Sequence, residues 1–162
     1  MITRRFRARP GDTPAGVRAP PNRYRHRPRV SDSETRREIF VKLTPRRVEK
    51  PWGHELIWAE TTQYLGKVLH VKAGEALSLQ YHTEKDETIH LLSGRMRLWA
   101  GTLGSEAQSA TLEEVTLEPG ESFHITPFTV HRMEALEDCD ILEASTSHIH
   151  DVVRMEDRYG RV

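Results

Sequence analysis

The stretch LSLQYHTEKDETIHLLSG, residues 77–94, sets Gln80, His82 and Glu87 at short offsets inside segments that otherwise read as β-strands. Residues two apart in a strand share a face, so Ser78, Gln80 and His82 lie together, opposite Leu77, Leu79 and Tyr81. By the same alternation Glu87 shares a face with Ile89 and Leu91. If Gln80, His82 and Glu87 all turn inward, they are costly to bury unless something pairs with them. One divalent metal ion satisfies all three, and His131, beyond the strand ESFHIT and the turn TPFTV, offers a fourth ligand. An amide oxygen, two imidazoles and a carboxylate form a borderline donor set, which suits zinc first and then manganese, iron, nickel or cobalt.

The elements that must position these residues are short. HELIWA (54–59), YLGKVLHVK (64–72), ALSLQYH (76–82), ETIHLLS (87–93), RMRLWA (95–100), ATLEEVTL (110–117), ESFHIT (121–126) and CDILEAS (139–145) are apolar or alternating runs. AGE, SG and EPG punctuate them as turns. This rhythm predicts an all-β fold, an antiparallel sandwich or small barrel. Only VVRMEDRYGR near the end reads as a short helical or irregular segment.

At 162 residues the chain supports one domain with a real core plus an extension. Formal charge sums to zero, yet residues 1–38 carry eleven arginines against four acids, about +7, which leaves about −7 for the rest. That Arg/Pro-rich segment lacks periodic apolar residues and is expected to be a disordered basic extension, with the folded domain over 39–162. Aromatics are too sparse among its arginines for a nucleic-acid arm, so it is read as solvated chain lying against an acidic body. Ser31 and Glu34 have the spacing of a capping box, which places a short helix start near Asp32. No apolar run is long enough to span a bilayer, and no signal-peptide pattern is seen. With a lone cysteine, Cys139, these features predict a cytoplasmic protein. The segment REIFVKL (37–43) is more apolar than a linker needs and is expected to add to a sheet edge in a homodimer.

The order Gly74, Gln80, His82, Glu87, Gly94 and then Gly120, His131 resembles the two motifs of the cupin superfamily. In the second motif Thr126 and Phe128 stand where that family has proline and glycine, and Ala135 stands where it has asparagine. LSLQYH with its following glutamate, together with VEKPWGHE (48–55) and EDRYGR (156–161), is similar to the C-terminal domain of type II mannose-6-phosphate isomerases. The resemblance implies a double-stranded β-helix, or jelly-roll barrel, holding one metal on Gln80, His82, Glu87 and His131. It also implies a metal-dependent aldose–ketose isomerisation of a sugar phosphate in polysaccharide or nucleotide-sugar metabolism. Where those domains read close to QxHHHRAEHW, this chain has QYHTEKDETI. Glu84 therefore replaces a histidine and Lys85 an arginine.

Such an isomerisation needs a metal, a base to carry a proton through an enediol, and a cation for the phosphate. Lys85, on the turn leading to Glu87, is the candidate cation, with Arg95, Arg97 and Arg132 also available. His124 is the candidate base, because strand parity sets it opposite Phe123 and Ile125, facing either cavity or water. His70 and His90 read as structural, and the SHIHD tract with His148 and His150 as a weak second metal motif. A dioxygenase and a non-catalytic sugar-binding cupin are the alternative functions.

Overall fold

A computed structural model describes residues 42–104 and 109–161, and these form two antiparallel sheets. The first has six strands: β1 (Arg46–Lys50), β2 (Gly53–Glu60), β3 (Tyr64–Val71), β5 (Glu87–Ser93), β8 (Ser122–Ile125) and β10 (Cys139–Thr146). They run in the order β1-β2-β3-β10-β5-β8. The second comprises β4 (Leu79–Tyr81), β6 (Met96–Leu103), β7 (Ala110–Leu117), β9 (Thr129–Ala135) and β11 (Val153–Glu156), in the order β11-β4-β9-β6-β7. The long crossovers within each sheet, β3 beside β10 and β4 beside β9, are those of a jelly roll.

Alternation along each strand sends one face inward. Leu69, Val71, Ile89, Leu91, Ile125 and Ile141 come from the first sheet. Leu98, Met96, Leu117 and Met133 meet them from the second, in one buried cluster. Full burial of side chains this size contributes about 1.5–3 kcal/mol each. Cys139 belongs to the cluster, its thiol donating to the carbonyls of Arg95 and Glu137. Burial pushes that thiol up, away from reactivity.

Two turns carry the motif positions. Gly94 adopts φ 82°, and a Cβ there would lie 2.2 Å from the Asp138 carbonyl oxygen and 2.9 Å from Cys139 Sγ. Only glycine fits. At 126–129 the Thr129 amide donates to the Thr126 carbonyl at 3.1 Å, Pro127 precedes Phe128, and Phe128 has φ 64°. This is a type II turn with phenylalanine in the left-handed position usually kept for glycine. Its amide donates to the His82 carbonyl at 2.7 Å and its ring stacks on Tyr81.

The segment read as helical is a strand. Val153 and Arg154 pair with Tyr81 and Gln80, and a turn follows in which the Asp157 carboxylate accepts from the Tyr159 and Arg161 amides. Pairing to a strand some seventy positions earlier leaves no local periodicity to read. The EDRYGR segment docks on the first motif glycine. Arg158 donates to the Gly74 carbonyl at 3.2 Å, and the Tyr159 hydroxyl to Glu75 at 2.5 Å. Strands β1, β9 and β11 were not anticipated. The expected extension over 1–38, the capping box and most of REIFVKL lie outside the described residues. Among the described residues, no helix is long and apolar enough to cross a membrane.

Candidate metal centre

Strands β4, β5 and β9 and the loop after β4 bring three ligand-type side chains together. His82, Glu87 and His131 are all buried, and their ligand atoms lie within 4.8 Å of one another. His82 Nε2 is 3.5 Å and His131 Nε2 3.4 Å from the same oxygen, Glu87 Oε1. That is within the span of two ligands sharing one ion at about 2.0–2.3 Å.

Each imidazole is oriented through its other nitrogen. His82 Nδ1 donates to the Asp151 carbonyl, and His131 Nδ1 donates to the Thr129 carbonyl at 3.0 Å. Both rings are thereby held in the tautomer whose Nε2 lone pair faces Glu87. His82 Nε2 is buried and makes no hydrogen bond. A buried lone pair with no donor is costly, and a divalent cation between the three side chains would satisfy it. Gln80 pairs in register with His131 across β4 and β9, and its amide nitrogen lies 3.5 Å from His131 Nε2. Its oxygen accepts from Ser78 Oγ at 2.7 Å. Turning the amide over would aim that oxygen at the centre. The donor set thus fits a divalent ion.

The charges around the centre are coupled. Burial alone would raise the Glu87 carboxyl, but the close positive charge of Lys85 works against it, and Glu87 is held well below the usual carboxylate range. Burial depresses His131, favouring the neutral imidazole that a metal requires. Lys85 is desolvated, yet Glu143 and Glu87 more than compensate and keep it an ammonium. Its Nζ contacts Glu87 Oε2 and lies 2.6 Å from Glu143 Oε1. From there an alternating chain continues outward through Lys67, 3.5 Å from Glu143 and 3.9 Å from Glu55, to Lys50, 3.4 Å from Glu55.

Asp151 clamps the loop that carries His82 and Lys85. Its carboxylate accepts from the amides of Thr83, Glu84 and Lys85 and from the Thr83 hydroxyl. Desolvation alone would raise this carboxyl, but the hydrogen bonds together outweigh it and hold Asp151 well below its ordinary range.

The centre opens into a cavity of about 280 Å³ whose lining includes Trp52, Lys67, Lys85, Glu143 and Arg154. The structure thus brings together Gln80, His82, Glu87 and His131, and it sets Lys85 inside the cavity bonded to two carboxylates. It does not bring in His124. His124 lies opposite Thr88 on the outer face of the six-stranded sheet, exposed, with Nε2 2.9 Å from Asp86. Of its two permitted directions it takes water, away from the cavity. Arg95, Arg97 and Arg132 are likewise paired outside the cavity, with Glu137, Glu114 and Glu156. His70 bonds Asp140 and His90 bonds Ser122, both in structural roles. Lys67 and Glu143 were missed. Their signal was parity, since Lys67 shares its face with Leu65 and Leu69, and Glu143 with Ile141.

The His/Glu/His cluster thus turns inward between the two sheets of a jelly roll and borders a polar cavity. Residues 67–145 match the Cupin domain family, so this part of the chain is a cupin domain. Over 122 residues it is 32% identical to the mannose-1-phosphate guanylyltransferase ManC of Salmonella typhimurium (strain LT2), a match that covers 72% of this chain and 23% of ManC. The fold is shared with the capsular polysaccharide assembling protein CapF of Staphylococcus aureus, with TM-score 0.56 and 16% identity, covering 72% of this chain and 35% of CapF. It is shared too with KdgF from Halomonas sp., with TM-score 0.52 and 19% identity, covering 67% of this chain and 91% of KdgF. The chain therefore spans less than a quarter of the length of its curated relative.

Proposed function

We propose that this cupin is a metal-dependent sugar-phosphate isomerase that interconverts an aldose and a ketose phosphate. The observation that carries the reading is the convergence of Gln80, His82, Glu87 and His131 at the base of a cavity walled by cations. The likeness to ManC, a protein that by its name handles a sugar phosphate, supports it. Those four residues would hold the ion, and a bound divalent ion supplies a Lewis acid for the two sugar oxygens at C1 and C2.

The rest is the work of the chain's own side chains. Isomerisation moves the C2 proton to C1 and a hydroxyl proton from the C2 oxygen to the C1 oxygen, with no net oxidation. Glu143, facing the cavity beside Lys85, is the carboxylate placed to take the C2 proton and return it to C1. The Lys85 ammonium pairs with both Glu143 and Glu87 and can donate to the oxygen on which charge builds. Lys85 is therefore assigned to proton handling in place of the phosphate grip first expected of it. The apolar wall of Trp52, Leu69 and Met133 limits water.

The test is solvent exchange. Metal-loaded wild-type protein incubated with mannose 6-phosphate in deuterium oxide should label C2 and form the ketose phosphate, and His131→Ala should lose metal and exchange together. Wild-type protein with full metal occupancy that exchanges no C2 proton of any aldose phosphate refutes the isomerase reading. It would leave a binding or other cupin activity.

A further inference from the structure

Arg154 is the cation of the cavity that the isomerase reading leaves without a task. Strand β11 pairs with β4 and β4 with β9, so Arg154, Gln80 and His131 stand opposite one another in a single cross-strand row. Directly opposed residues project to the same face, so Arg154 shares the inward face of the two candidate ligands. Two interstrand spacings, about 10 Å, separate its backbone from that of His131. Arg154 lines the cavity, and its Nε is buried with no hydrogen-bond partner.

The neighbouring cations are already committed. Arg46 pairs with Glu60, Lys50 with Glu55, Lys67 with Glu143, Lys85 with Glu87, and Arg161 with Asp157. Among the described residues, Arg154 is the one lysine or arginine lining the cavity that has no side-chain partner. A buried guanidinium atom without an acceptor is costly and marks a place where an anion is expected. The planar fork of arginine suits the oxygens of a phosphate, which it can bind with two parallel hydrogen bonds.

We infer that Arg154 is the specificity-determining contact for the phosphate monoester of a monosaccharide phosphate whose other end lies at the metal centre. The inference rests on the sugar-phosphate reading of that site. The offset along the row leaves room for the carbon chain of an open-chain hexose between its carbonyl end and a terminal phosphate. At about 280 Å³ the cavity is at the small end of ligand sites, roughly 300–1,000 Å³, which favours a monosaccharide phosphate over a nucleotide sugar.

Inorganic phosphate is the probe, titrated calorimetrically into the full chain both metal-loaded and after chelator treatment, so that binding through the ion is separated from binding through the arginine. Chelated wild-type protein should bind phosphate. Arg154→Met should weaken that binding roughly tenfold or more, with metal content unchanged, and Arg154→Lys should fall between. As a check that needs no variant, phosphate should slow the modification of Arg154 by phenylglyoxal, followed by peptide mass spectrometry. The proposal is overturned if chelated wild type binds no phosphate, if Arg154→Met binds it as wild type does, or if phosphate leaves the modification rate unchanged. Phosphate binding that depends on Arg154 in a protein that exchanges no C2 proton upholds this assignment and refutes the isomerase reading alone.

Discussion

Replacing Asp151 with alanine tests whether the loop carrying His82 and Lys85 is held from the C-terminal side of the domain. The Asp151 carboxylate accepts four hydrogen bonds, from the amides of Thr83, Glu84 and Lys85 and the Thr83 hydroxyl. Thr83 and Glu84 are exposed, so their donors turn to water at little cost, whereas the Lys85 amide belongs to a buried residue. Losing a charged acceptor for one sheltered donor and three hydrated ones amounts to about 2 kcal/mol. For a domain of this size that is a melting temperature lower by roughly 6–10 °C. The His82 carbonyl contact uses the Asp151 backbone and survives the change, yet a looser loop should still weaken metal binding by about 10–100-fold. Thermal melts in chelator and a competition titration of zinc against a chromophoric chelator read the two effects separately. The sign of the pH dependence is also set. The folded carboxyl lies below its unfolded value, so its contribution is full above about pH 4 and fades as pH falls below that. Wild type and Asp151→Ala should converge in acid. Equal melting temperatures and equal zinc affinities at pH 7 would refute the clamp.

Three further outcomes follow from the packing. Lys85→Met leaves Glu87 and Glu143 buried without their shared cation and should cost about 3–5 kcal/mol in chelator, measured by urea unfolding. The deficit should shrink when zinc is added and also as pH is lowered toward 5, since protonating a carboxyl removes the unpaired charge. Phe128→Ala loses the Tyr81 stack and keeps the strained backbone, whereas Phe128→Gly loses the same stack but relieves the strain. Melts should therefore place the glycine variant about 1 kcal/mol above the alanine variant. Gly94→Ala sets a methyl against the Asp138 carbonyl and Cys139 at a left-handed φ, and should lower stability by about 2 kcal/mol or more in the same assay.

The site was legible where parity and spacing act within one strand or hairpin. Gln80 and His82 on one side of the turn and Glu87 on the other needed only alternation, and the same reading set Ile89 and Leu91 in the core. His131 was reached by spacing, although its strand was not anticipated and the first two residues of that strand were read as the end of the turn TPFTV. Parity gave His124 two directions and could not choose, because the choice depends on which face of β8 meets the second sheet. Lys67 and Glu143 show the opposite failure. A charge among apolar residues of one parity is a signal, but its meaning appears only when strands from distant parts of the chain place the charges side by side. The strand Val153–Glu156 was lost for the same reason, since its partner is β4 and its own four residues carry no pattern. Phe128 was legible as an anomaly, a bulky residue where a turn asks for a left-handed backbone, and Pro127 ahead of it is what makes the turn workable.

The orientation of His82 comes from the carbonyl of Asp151, and the row through Gln80 is closed by Arg154, so the centre is finished by residues some seventy positions beyond its first ligand. On a ribosome the chain grows at about 5–20 residues per second. For several seconds after Gln80, His82 and Glu87 emerge, they are exposed without the strand that fixes their geometry. A cation that met them in that interval would be held only loosely. The geometry for tight binding is complete only once the segment from Asp151 through β11 has docked, so the order of synthesis sets when a site for an ion becomes available.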